Sequence, residues 1–442
     1  MVLKRKINDI LHEWRQDIDH KPLVIKGCRQ CGKTFSVLKF AHENYKNVIY
    51  INFLEKPNVI EAFQDSLSID DIMMNLTAMG VATTIEPGDT CLILDEIQEC
   101  PEARTALKFF KIDGRIDVIA TGSLLGVKGY GTQGNAPASI PVGYETVITM
   151  YPLDFEEFLW ANGITESIID RLREHYNKLI PVTTALHSRM RQLLLQYAIV
   201  GGLPEAVNAF IATHDICKVQ NVQQAIIVGY EEDMIKYADS FDRSKIRECF
   251  ESIPKQLSKE NKKFQYSVVR TGGKSSHYIG SLQWIEDAGV IRRCYNLNIP
   301  ELPLDGNAIE NVFKVYMADT GLFVSMLEQG TAGDILKGNL HGYKGAIFEN
   351  LAADIFGKMG RKLYYYRKES GLEIDFVMRH KGKCTLVEVK ATTGDAKSLK
   401  TILNHPEKYH IDSAIKLGDY NIGQKGPLTT LPFYLAFLLR EY

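Results

Sequence analysis

The sequence predicts an α/β protein: a parallel sheet with a glycine-bearing loop at its edge, a helical segment behind it, and a second α/β segment near the C-terminus. Three observations predict this. A short apolar run, LVIKG (23–27), leads through a glycine-bearing loop into FSVLKFAHENY (35–45), whose apolar spacing is helical. The run CLILDEI (91–97) suits a strand buried on both faces and ends in two acids. Late in the chain, EIDFVMRHKGKCTLVEVKAT (373–392) alternates as a hairpin around His-Lys-Gly-Lys. The 442 residues are 45% hydrophobic and 24% charged, which excludes a disordered chain, a collagen-like repeat and a disulfide-stapled miniprotein. At roughly 150 residues per domain, the length allows two to four domains. No apolar stretch is long enough to span a membrane. Charges interrupt the basic N-terminus before a signal-peptide core forms. A cytoplasmic protein is expected, with its eight cysteines mostly reduced.

The first loop, GCRQCGKT (27–34), fits G-x-x-x-x-G-K-[ST] in the strand–loop–helix setting that motif requires. Gly27, Cys28, Arg29, Gln30, Cys31, Gly32, Lys33 and Thr34 are therefore the candidate nucleotide contacts. Gly27 and Gly32 let backbone N–H groups turn onto phosphate oxygens at the positive end of a helix. Lys33 supplies a point charge to the β and γ phosphates, and the Thr34 hydroxyl ligates Mg²⁺. Cys28 and Cys31 form a C-x-x-C whose spacing also suits redox or zinc chemistry, but no second Cys/His pair follows closely. NVIYINF (47–53) is a second strand. CLILDEI is the third, where Asp95 can hold Mg²⁺ through water and Glu96 can polarise the attacking water. IDVIATGS (116–123) is a fourth strand with polar Thr121 and Ser123 at its end, and ETVITMYPL (145–153) a fifth. Strands alternating with helices argue a right-handed parallel sheet with nucleotide at its carboxyl edge.

With these motifs in place, the sequence resembles the AAA+ branch of P-loop ATPases. The resemblance implies ATP as the nucleotide and a γ-phosphate-sensing polar residue at the end of the fourth strand, Thr121 ahead of Ser123. Such ATPases commonly complete their site with an arginine from a neighbouring subunit, which leaves an oligomer open. Arg104, Arg115, Arg171, Arg173, Arg189 and Arg191 are available for that, and no second sensor arginine motif is evident. YPLDFEEF (151–158), GGLPEAV (201–207) and KVYMADTGL (314–322) extend the resemblance to the whole chain. They are similar to segments of a large prokaryotic family that joins an AAA-like ATPase domain to a C-terminal domain of unknown function.

Net charge is −2 but unevenly spread: −8 over 1–239, +5 over 240–300, −4 over 301–330, +5 over 331–400 and zero over 401–442. Two basic stretches behind an acidic front hint at a polyanionic partner. Residues 154–236 carry helical spacing and read as a lid, with Pro204 opening a helix after the Gly201-Gly202 bend. From 243 the order is helix, turn at Gly272-Gly273, helix 275–287, then strand, as in a winged helix. Lys274, Ser275, Ser276, His277 and Tyr278 would open the recognition helix, and Arg292 and Arg293 the wing.

GAIFENLAADIFGKMG (345–360) is an amphipathic helix with Glu349 near its start. In the hairpin that follows, a two-residue loop at Lys381-Gly382 pairs residues whose numbers total 763, which sets Asp375 opposite Glu388. Lys390 shares that face. Two carboxylates and a lysine there can bind Mg²⁺ and activate water against a phosphodiester, or can be a cross-strand ion pair. The spacing resembles the PD-(D/E)XK nuclease core, in which the helical glutamate, here Glu349, joins Asp375 and Glu388 at the metal, and Lys390 orients water. Ile374 stands where the proline of that name would be.

The domain expectation is thus 1–153 for a P-loop (AAA+-like) ATPase core, 154–236 for a helical lid, 237–300 for a winged-helix-like part and 301–442 for a restriction-endonuclease-like α/β part. The function expected is Mg²⁺-dependent ATP hydrolysis coupled to a DNA-binding module, with DNA cleavage at a second Mg²⁺ or Mn²⁺ left open. The alternative is a nucleotide-gated switch or scaffold that presents an inert nuclease-like domain to a protein partner. A membrane partner is not expected.

Overall fold

The computed structural model describes residues 1–82, 85–123, 141, 143–237, 243–259, 262–338 and 343–440. The chain divides into two compact units, 2–152 (with 287–289) and 153–286 plus 290–442 (with Met1).

In the first unit, β1 (Leu23–Gly27), β2 (Asn47–Asn52), β3 (Thr90–Asp95), β4 (Asp117–Ser123) and β5 (Thr146–Thr149) form one sheet in the order β2-β3-β4-β1-β5. Every pairing in it is parallel. The alternation of side chains explains why β3 is apolar at every step from 91 to 94. Leu92 and Leu94 face a core shared with the helices Ile69–Ala78 and Pro101–Asp113. Cys91 and Ile93 face a second core, shared with Lys6–Gln16 and Lys33–Asn44. A strand covered on both sides has no polar face to offer.

The second unit starts with five helices, Phe155–Ala161, Glu166–Lys178, Thr184–Val200, Pro204–Thr213 and Ile216–Tyr237. The DFEE of YPLDFEEF is a capping box: the Asp154 carboxylate accepts from Glu157 N at 2.9 Å, and the Glu157 carboxylate accepts from Asp154 N at 3.0 Å. Helices Arg243–Leu257, Tyr266–Val269 and Ser275–Asp287 follow, then β6 (Ile291–Leu297) and β7 (Ala308–Met317). This is the helix–helix–strand order read from the sequence, but β6 is not a free wing. It pairs with β7 on one side and with β8 (Leu363–Arg367) on the other, in a sheet β7-β6-β8-β9 completed by β9 (Glu373–Ile374). Arg293 is accordingly engaged within the chain rather than exposed for a groove: its guanidinium donates to Glu286 and Gln283.

After β9 the strand breaks at Asp375, and β10 (Phe376–His380) joins a different sheet, β10-β11-β12-β14-β13. Its members are β11 (Lys383–Val389), β12 (Ala414–Gly418), β13 (Gly423–Lys425) and β14 (Leu428–Pro432). The β10–β11 register runs from Phe376 opposite Val387 to His380 opposite Lys383, the pairing expected from the loop. Lys381 and Gly382 both have positive φ, 50° and 76°, as a two-residue turn matched to strand twist requires.

The three segments that carried the family resemblance meet inside the second unit. Leu153 N donates to Gly202 O at 2.7 Å, and Gly202 N donates to Asp319 Oδ2 at 2.7 Å. Lys358, fully buried, bridges Asp319, Asp354 and the Tyr197 hydroxyl. A Cβ on Gly201 would stand 2.0 Å from Asp319 Oδ1, so the bend tolerates no side chain. Among the described residues, no helix is long and apolar enough to cross a membrane.

Candidate functional site

β1 ends at Gly27 and the helix Lys33–Asn44 starts six residues later, so the intervening loop must turn tightly. It does so through left-handed backbone at Gln30 (φ 61°) and Gly32 (φ 96°). A Cβ on Gly27 would lie 2.4 Å from Met150 O, so glycine is required there for close packing. Lys33 folds back, donating from Nζ to Gly27 O and Cys28 O, each at 3.0 Å. A lysine so placed reaches into the loop's concavity, where a phosphate group could take over its donors.

β3 lies beside β4, and β4 beside β1, which brings Asp95, Thr121 and the loop to one edge of the sheet. Asp95 Oδ2 accepts from Thr34 Oγ1 at 3.1 Å, Tyr50 OH at 2.9 Å and Asn52 Nδ2 at 3.3 Å. Its other oxygen accepts from the Thr121 hydroxyl and, at 3.2 Å, from Glu96 N. The Thr34 hydroxyl and Asp95 carboxylate are therefore adjacent, the donor set a Mg²⁺ beside nucleotide phosphates uses. Glu96 has left-handed backbone (φ 55°), a strained state for a non-glycine residue that aims the side chain off the strand end. Gln98 Nε2 holds its carboxylate at 2.5 Å. Tyr50 and Asn52 were not read from the sequence; their place at the end of the strand beside β3 was the available signal.

The C-terminal candidates come together on other elements. Asp375 sits at the break between β9 and β10, and its Oδ2 accepts from Val389 N at 2.8 Å. Glu388, near the end of β11, accepts from Lys390 Nζ at 2.6 Å, while its buried Oε2 has no hydrogen-bond partner. Glu349 lies on the buried helix Lys344–Lys358. Its Oε1 accepts from Lys314 Nζ at 2.8 Å and from the Tyr316 hydroxyl, and its Oε2 accepts from Lys262. Lys314, 1% exposed, also pairs with Glu373 at 2.7 Å. Burial alone would raise Glu349, but the charges of Lys314 and Lys262 outweigh it and draw the carboxyl down to about 2. Asp375 moves the other way: burial, with Glu349 and Glu388 nearby, pushes it up to about 8. Burial also raises Glu388, against the pull of Lys390.

Lys314, Tyr316, Lys262 and Glu373 were not among the sequence candidates. A lysine set in the apolar run of β7, two residues from a tyrosine on the same face, was the signal for the first two. These partners bear on the second metal. Both oxygens of Glu349 are engaged, two of the three donors are cations, and a divalent ion would have to displace them. Among the described residues, no group of three or more His, Cys, Asp or Glu side chains is arranged to hold a metal ion. As placed, Glu349 has both carboxylate oxygens taken by protein donors.

The six arginines considered as donors to a neighbouring site all have partners within the chain. Arg104 pairs with Glu145 and Arg115 with Asp70 and Asp113. Arg171 pairs with Glu174, Arg173 with Glu156, and Arg191 with Asp419, while Arg189 donates to Gln192. On the helix Ser275–Asp287, Lys274, Ser275, Ser276 and His277 at its start are exposed. Tyr278 is instead buried and donates to Glu248 at 2.7 Å.

Residues 19–159 match the family model of an AAA domain. Residues 191–332 and 344–434 match two domains of unknown function, DUF8612 and DUF4143. No curated protein matches the chain. Similar solved structures include a Walker-type ATPase of Pyrococcus abyssi, at 14% identity over 74% of this chain and 96% of that one, with a TM-score of 0.45. The ORC2 protein of Aeropyrum pernix in its ADP form matches at 12% identity over 76% and 95%, TM-score 0.31. AMPPCP-bound DnaA from Aquifex aeolicus matches at 12% over 64% and 87%, TM-score 0.28. The match of residues 19–159, set on a five-stranded parallel sheet with its phosphate-type loop, makes this part of the chain an ATPase-like P-loop domain of the AAA kind.

Proposed function

We propose that the chain is a Mg²⁺-dependent ATP-hydrolysing protein whose C-terminal module binds a partner and does not cleave nucleic acid. The observation that carries the first part is the convergence of Lys33, Thr34, Asp95 and Glu96 at one sheet edge. Loop N–H groups from 28 to 33 and the Lys33 ammonium bind the phosphates. Thr34 and Asp95 would hold Mg²⁺, which neutralises charge developing on the phosphates. Glu96 accepts a proton from the attacking water, and Thr121 fixes the orientation of Asp95. The test is ATP turnover by the full chain with Mg²⁺ or with chelator; turnover unchanged by chelator, or retained in Glu96→Gln, removes the assignment.

The second part rests on the two lysines held by Glu349. With its helical carboxylate committed to ammonium groups, the nuclease-like cluster acts as a structural ion network. The partner we propose is DNA, met by the exposed start of the helix Ser275–Asp287 within the +5 stretch 240–300. A protein partner is the second reading, favoured by Ile279, which is 48% exposed on the same helix. Plasmid and single-strand cleavage with Mg²⁺ or Mn²⁺, with and without ATP, beside Asp375→Ala, decides the cleavage question. Cleavage lost in the variant overturns the non-cleaving assignment. Partner binding that weakens steeply with salt supports DNA, and salt-insensitive capture supports protein.

A further inference from the structure

We infer that Cys28 and Cys31 of the phosphate loop are an oxidation site, a dithiol that closes to a disulfide and thereby weakens nucleotide binding. This rests on the ATP-binding reading of the loop. The two side chains belong to one buried cluster beneath the loop, at 4% and 0% exposure. The left-handed turn at Gln30 brings residues three apart together. Cys31 Sγ is 3.6 Å from Met150 O, and the helix beginning at Lys33 presents its positive end nearby.

The surroundings single out this pair. The Cys28 hydrogen bond, with the charges of Lys33 and Arg5, outweighs burial and draws the Cys31 thiol down to about 6. Burial pushes Cys91, Cys100, Cys249, Cys294 and Cys384 up instead. Of these thiols Cys31 is the one whose surroundings favour ionisation, which makes it the attacking sulfur and Cys28 its resolving partner.

The oxidant is a small-molecule disulfide. The Cys31 thiolate attacks one of its sulfurs and expels one thiolate. Cys28, losing its proton to solvent, attacks Cys31 in the mixed disulfide and expels the second. Two protein thiols are oxidised and one disulfide is reduced to two thiols. Closure sets the two sulfurs about 2.05 Å apart. That movement shifts the backbone at both ends of the turn whose N–H groups meet phosphate. Both thiols are covered, so oxidation proceeds when the loop opens, and bound nucleotide protects them.

The test uses the full chain carrying Cys217→Ser, which removes an exposed thiol outside the loop. Samples are equilibrated in graded oxidised and reduced dithiothreitol, with and without MgATP, and alkylated. They are cleaved with trypsin, which cuts after Arg29, so the disulfide appears as two linked peptides. ATP affinity is measured on the reduced and oxidised forms by equilibrium dialysis. The expected result is a Cys28–Cys31 link, at least tenfold weaker ATP binding, and reversal by reductant. By reciprocity, a tenfold preference for the reduced form raises the pair's potential by about 30 mV in saturating ATP. No linked pair, a linked pair with unchanged affinity, or no protection by ATP each overturns the inference. Failure of the reduced chain to bind ATP would instead sink the nucleotide assignment while leaving the disulfide measurable.

Discussion

Asp95 and Glu349 are equally buried, each 4% exposed, and each accepts several hydrogen bonds, but they keep opposite company. Asp95 takes its bonds from the hydroxyls of Thr34, Tyr50 and Thr121, the Asn52 amide and a backbone N–H. All of these are neutral, so no cation of the chain is committed to this carboxylate. Glu349 takes its bonds from Lys314, Lys262 and Tyr316. There the counter-charge is covalently part of the chain. The difference teaches that a cluster of acids is judged by its donors: neutral donors orient a charge, whereas ammonium donors neutralise it.

The largest expected effect is at the first site. Lys33→Ala should lower ATP turnover by about 10²-fold or more, and Glu96→Gln by about 10²–10⁴-fold with ATP binding kept. Steady-state hydrolysis and nucleotide binding, measured side by side, check both. The next effect is at the second site and falls on stability. Lys314→Met leaves Glu349 and Glu373 short of a buried cation and should cost about 3–5 kcal/mol, largely recovered in Lys314→Met/Glu349→Gln. Urea denaturation of the four-member cycle measures this. A comparable loss in Thr34→Val, whose partner Asp95 keeps four other donors, would break the comparison.

Much of the first site was legible because it is local. The motif from Gly27 to Thr34 is eight consecutive residues, and Asp95 closes an unmistakably apolar strand. The C-terminal hairpin was legible for the same reason, since loop length alone fixes which residues face each other. The partners of Glu349 were not, because Lys262 and Lys314 lie 87 and 35 residues away and reach it only through tertiary packing. Arg293 misled similarly: its strand had to be known as an interior one before its charge could be assigned to Glu286 rather than to a groove.

Two smaller effects sharpen the contrast through pH. Asp375 binds its proton more tightly folded than unfolded, so between the ordinary carboxylate range and about pH 8 the folded state holds the extra proton. Stability of the second unit should therefore decline as pH rises across that window, and Asp375→Asn should flatten the decline in chemical-denaturation midpoints. In the first unit, His20 Nε2 bonds Asp117 at 2.9 Å, and that bond raises the imidazole against burial. Its contribution is full below the ordinary histidine range and fades as pH climbs through the raised value. His20→Ala should remove about 1 kcal/mol at pH 6 and less at pH 9, read from urea midpoints.

The joint around Lys358 bears on how this chain can be cut. Asp319 falls in the matched stretch 191–332, and Lys358 and Asp354 fall in 344–434. A fragment ending near 340 would keep a buried aspartate and discard its lysine, and would strip β6 of its neighbour β8. The complementary fragment would carry Glu349 without either ammonium group. Borders drawn by sequence recurrence are therefore poor places to divide this protein for expression. The stretch from 153 onward shares its buried charges and its sheet across residue 340, so it is to be expressed whole.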